Sequence, residues 1–70
     1  MGDEYFHLDK MIRGVKWRMR FHLVGNSVTI ETWEEYSPNM WARIADSVKT
    51  LENARLRWDQ MVRDGWSVKV

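Results

Sequence analysis

Seventy residues with 11 basic and 10 acidic side chains, a formal charge of +1 and no cysteine leave room for one domain and not two. Disulfides are excluded, in keeping with a reducing compartment, and the near balance of charge argues against a dedicated duplex-binding domain, which normally carries a strong basic excess. A chain this short buries only about 60% of the surface its unfolded form exposes, so a dense core, self-association or a partner must supply the remaining stability; five tryptophans point first to the core.

The N-terminal stretch Met1-Gly2-Asp3-Glu4-Tyr5 is acidic and lacks a long apolar run, so it does not read as a signal peptide. Phe6 stands where N-myristoylation would want Ser or Thr. No stretch approaches the ~20 apolar residues of a membrane span, and a cytoplasmic protein without membrane contact is the expectation. From Asp3 to Ile12, Tyr5, Leu8 and Met11/Ile12 recur at helical spacing behind an Asp that can cap. Residues 1–13 therefore read as a short N-terminal helix, with an arm as the alternative.

The clearest pattern follows. Val15, Trp17, Met19, Phe21 and Leu23 alternate with Lys16, Arg18, Arg20 and His22, the period of a half-buried strand. After Gly25-Asn26, Val28 to Trp33 is again rich in β-branched and aromatic residues. The turn sets a register for a hairpin over 15–33. Leu23 faces Val28, Phe21 faces Ile30 and Met19 faces Thr32 on one side. His22 faces Thr29, Arg20 faces Glu31 and Arg18 faces Trp33 on the other, the last two as an ionic and a cation–π pair.

Ser37-Pro38-Asn39 then reads as a helix start, with Ser37 capping and Pro38 in the first turn. Met40, Ile44, Val48, Leu51, Trp58 and Val62 recur at steps of three, four or seven, and Gly65 is a natural stop. These signals predict one helix over 38–64, about 39 Å long. Strands of about 30 Å would leave it overhanging or broken near Lys49-Thr50. Trp66 to Val70 alternates and predicts a last strand. The expected fold is therefore a single α+β domain, a three-stranded, mostly antiparallel sheet in the order second–first–third, packed on one long helix. The third strand would run parallel to the second.

Chemistry-bearing constellations are sparse. There is no Cys, only His7 and His22, and no serine in an elbow-like setting, so an activated nucleophile has no components. Glu34-Glu35 and Asp59/Asp64 lie in surface-like contexts that would not desolvate an acid. His7, Asp9 and His22 fall short of a four-ligand zinc site, and the four scattered glycines form no phosphate loop. Neither an enzyme nor a cofactor is expected. Three exposed features remain. Trp41, Ala45 and Leu56 form a second apolar line beside the main helical stripe. Arg55 interrupts that stripe, either with its stem lying along the core edge or as an anchor for a partner's anion. Trp41, Arg55 and Leu56 are accordingly the expected partner-binding residues of a small non-catalytic accessory or inhibitor protein, whose partner is another protein or a second copy of itself. The rival is single-stranded nucleic acid, held on the open face of the hairpin by Lys16, Arg18, Arg20 and His22 with Trp33 as the stacking ring.

Overall fold

The computed structural model describes residues 4–69. Among them are five strands and one helix: β1 (Glu4–Ile12), β2 (Val15–Val24), β3 (Ser27–Ser37), β4 (Met40–Thr50), α1 (Leu51–Arg63) and β5 (Ser67–Lys69). All strands lie in one sheet in the order β4-β3-β2-β1-β5, each neighbouring pair antiparallel. Three strands on a long helix is thus corrected to five strands on a short one. The capping role expected of Asp3 and the end of the last strand at Val70 lie outside the described residues.

The 15–33 hairpin has the expected register, from Val24↔Ser27 through Arg20↔Glu31 to Arg18↔Trp33. Its turn uses Gly25 at φ 61°. The N-terminal segment is a strand rather than a helix or arm. A two-residue turn joins it to β2, with Arg13 at φ 52° and Gly14 at φ 81°, both positive as a type I′ hairpin requires. Alternation then sends Phe6 and Leu8 to one face and Tyr5, His7 and Asp9 to the other.

The largest correction concerns residues 38–50. Pro38-Asn39 closes a third tight turn, in which Asn39 takes φ 61° and its N–H donates to Glu35 Oε2 at 2.9 Å. Proline in the first turn of a helix and proline at the second position of a β-turn hold the same φ near −65°, so the local signal fits both. The chain turns back along β3, and Met40, Ile44 and Val48 stand exposed on a strand instead of lining a helix. The helix begins at the junction near Lys49-Thr50. Thr50 caps it, its Oγ1 accepting from the Asn53 N–H at 3.2 Å. Thirteen residues give α1 a length of about 20 Å.

The helix crosses one face of the sheet and carries the chain from the β4 edge to the β1 edge. There β5 pairs with β1 through His7↔Lys69, Leu8↔Val68 and Asp9↔Ser67. It therefore lies beside β1, not beside the first hairpin strand, and runs antiparallel to β3. The core sits between helix and sheet: Leu8, Met19, Phe21, Val28 and Ile30 against Ala54 and Met61, with Leu23, Trp58 and Trp66 packed around them. Ala54, Trp58 and Met61 follow i, i+4, i+7 spacing, and the Trp58 ring packs nearly perpendicular to those of Phe21 and Phe6, centroids 5.1 and 6.2 Å away. No helix among the described residues is long and apolar enough to cross a membrane.

Candidate functional site

The second face of the sheet carries no helix among the described residues, and the register across four strands decides what stands on it. One row runs Asp9–Arg18–Trp33–Arg43, the next His7–Arg20–Glu31–Asp46, and a third Tyr5–His22–Thr29–Val48. Arg18 grips Asp9 bidentately, Nε to Oδ1 at 2.8 Å and Nη2 to Oδ2 at 3.0 Å, and its guanidinium lies 4.5 Å over the Trp41 ring. Arg20 holds Glu31 Oε1 through Nε at 2.8 Å, and Trp33 Nε1 donates to the same oxygen at 3.0 Å. The Arg20 guanidinium lies 4.7 Å from the centre of the Tyr5 ring and 5.6 Å from that of Trp33. Tyr5 in turn stacks on His22, centroids 4.1 Å apart.

The face is thus a lattice in which rings and guanidinium planes alternate. Its anchors are two acids with little exposure, Glu31 at 6% and Asp9. Burial alone would raise both pKa values. At Asp9 the hydrogen bonds and charge of Arg18, with Lys16 and Lys69 behind them, outweigh burial and hold the carboxyl below its ordinary range. At Glu31, Arg20, Trp33 and Arg43 do the same. His7 is shifted downward by burial first and then by the charges of Arg18 and Arg20, against a smaller pull from Asp9. Its Nε2 is buried without a hydrogen-bond partner among the described residues, which suits a neutral ring. Two carboxylates locked in the ionised state by arginine are poor proton donors near neutral pH. Among the described residues no group of three or more His, Asp or Glu side chains could hold a metal.

Lys16, Arg18, Arg20, His22 and Trp33 do stand together on this face, as the hairpin pattern implied. The partner of Arg18 differs: Trp33 lies opposite it in register, but Trp41 takes its guanidinium. Trp41, Arg55 and Leu56 are not brought together. Trp41 is on the open face, while Arg55 and Leu56 belong to α1 on the other side of the sheet. Arg55 borders a groove of ≈ 630 Å³ with Phe6, Leu23 and Trp58. Leu56 borders one of ≈ 460 Å³ with Met19, Thr32 and Ala45. Sequence reasoning missed Tyr5 and the placement of Trp41, because both lie in segments read as helix. The signals that could have found them are the turns: Arg13-Gly14 for the first and Pro38-Asn39 for the second. Comparison of the chain with protein-family models, curated proteins and solved structures found no match.

Proposed function

We propose that this chain is a non-catalytic binding protein, an accessory or inhibitor-like module of the cytoplasm, that docks another protein on the helix-free face of its sheet. The supporting observation is the interleaving there of Tyr5, Trp33 and Trp41 with Arg18 and Arg20. Trp, Tyr and Arg are the residue types that dominate binding hot spots. Salt bridges and stacking already hold these side chains in place, so docking orders few further rotamers and loses little affinity to that cost. Charge favours a protein over a polyphosphate. Among the described residues Lys16, Arg18, Arg20, Arg43 and Lys69 stand on this face against Asp9, Glu31, Glu35 and Asp46. The face is nearly neutral, and its central arginines are engaged by carboxylates.

One observation favours the rival reading: three aromatic rings share the face, where the hairpin alone offered one. Single-stranded nucleic acid stacks on such rings. Two measurements separate the readings. Displayed protein fragments selected on the immobilised chain are expected to lose binding with Trp33→Ala plus Trp41→Ala and to keep it with Leu56→Asp. The reverse pattern would move the site to the helix side. Titration with a single-stranded oligonucleotide at about 50 mM salt, read by tryptophan quenching, is expected to show no saturable binding. Saturable binding that weakens steeply with salt would replace the protein partner by nucleic acid.

A further inference from the structure

Strand β4 is an edge of the sheet, eleven residues long, and its outer main-chain groups can be assigned. The two-residue turn Gly25-Asn26 makes Val24 and Ser27 a mutually hydrogen-bonded pair. Alternation along β3 then directs Val28, Ile30, Thr32 and Glu34 toward β4, where they meet Lys49, Ser47, Ala45 and Ala42. The main-chain N–H and C=O groups of Trp41, Arg43, Asp46 and Val48 therefore point outward. A β-bulge at Ile44, between Thr32↔Ala45 and Trp33↔Arg43, changes the parity of the strand. Without it, Arg43 and Asp46 would stand on opposite faces. With it, both stand on the open face, where Arg43 Nη1 lies 3.7 Å from Glu31 Oε2 and 3.9 Å from Asp46 Oδ2.

We propose that the β4 edge pairs antiparallel with β4 of a second copy about a two-fold axis between Ile44 and Ala45, forming a continuous ten-stranded sheet. In this register the four outward residues from Trp41 to Val48 meet one another. Arg43 opposes Asp46 of the second copy, and Trp41 opposes its Val48, each pair occurring twice by symmetry. Opposite charges and apolar side chains thus coincide, and the self-complementarity singles out a second copy over an unrelated strand. The edge carries a bulge at Ile44 and the charges of Arg43, Asp46 and Lys49, but no proline interrupts β4. Met40, Ile44 and Val48 are 51%, 53% and 69% exposed. The pairing does not depend on what the open face binds.

A single strand pair buries less than the roughly 1,200 Å² of a standard interface, so sedimentation of the full chain is expected to pass from 8.5 kDa toward twice that mass between roughly 10 μM and 1 mM. Arg43→Asp alone and Asp46→Arg alone each place two like-charge pairs in the dimer and should weaken it at least about tenfold. An equimolar mixture of the two variants restores opposite charges at both pairs and should recover wild-type association. Val48→Pro removes an outward N–H only, and is expected to abolish the dimer while circular dichroism stays that of the wild type. A wild type that remains monomeric throughout this range overturns the proposal. So does a dimer indifferent to the charge reversals, or one that the mixture fails to restore, even where the proline variant does not fold.

Discussion

Glu31 is the residue on which the open face turns. Its carboxylate accepts from Arg20 and Trp33, faces Arg43, and is nearly removed from water. Truncation would strand a guanidinium and an indole N–H together. Glu31→Ala is expected to destabilise the fold by about 2–3 kcal/mol, whereas Asp46→Ala, at a 3.9 Å contact on an exposed edge, should change it by less than about 0.5 kcal/mol. Urea midpoints would distinguish the two. The same chemistry sets the pH response. The folded-state pKa values of His7, Asp9 and Glu31 all lie below their ordinary 6.5, 3.8 and 4.5. The unfolded chain therefore binds more protons, and stability must fall as pH falls. The share of His7 is lost as pH drops below about 6.5, and that of the acids as it drops through about 4 and below. Melting temperatures measured from pH 8 to pH 3 should decline in two stages. A maximum near pH 4 would contradict the burial and pairing described for all three groups.

At the scale of elements, the turns decide more than the strands do. Gly25 sits at φ 61°, and a Cβ added there would meet nothing within 4 Å. A substitution therefore carries backbone strain alone. Gly25→Val should cost more than about 1 kcal/mol, and Gly25→Asn much less, since Asn tolerates the left-handed region. Equal denaturation midpoints for the two variants would show that the turn relaxes. The β4–α1 junction is equally specific. Thr50→Ala removes the acceptor for the Asn53 N–H and should cost about 1 kcal/mol, with Thr50→Ser recovering most of it. Were residues 38–64 one helix, Thr50 would be an interior position, and alanine would stabilise instead. The sign of that single measurement tests where the helix begins.

Across the whole molecule, one sheet separates two surfaces that the sequence had joined. Trp41 stacks on Arg18 on the open face, and Leu56 borders the helix-side groove. With no shared partner, Trp41→Ala and Leu56→Ala should add within about 0.5 kcal/mol in stability. Trp41→Ala and Arg18→Ala, which share a contact, should not. A coupling measured between Trp41 and Leu56 instead would place them on one surface after all.

The hairpin was legible residue by residue, because everything that specifies it is local. A period of two, a two-residue turn with glycine, and chemically matched partners all lie within 15–33, and they agree with the observed register. Residues 40–50 were not legible. Met40, Ile44, Val48 and Leu51 satisfy a helical period, while an edge strand exposed on both sides has no burial pattern to contradict it. Its place comes from main-chain hydrogen bonds to β3, and main-chain bonding leaves no trace in side-chain periodicity. Tyr5 to Ile12 posed the same difficulty, since Tyr5, Leu8 and Met11/Ile12 also fall at helical spacing while Phe6 and Leu8 alternate as in a strand. Sequence alone therefore determined the central hairpin, the common face on which its cations stand and the end of the helix near Gly65. Only the tertiary structure brought Tyr5 and Trp41 to those cations, because that meeting depends on strand pairings spanning tens of residues. Such pairings are stabilised by the assembled sheet and not by any short segment within it.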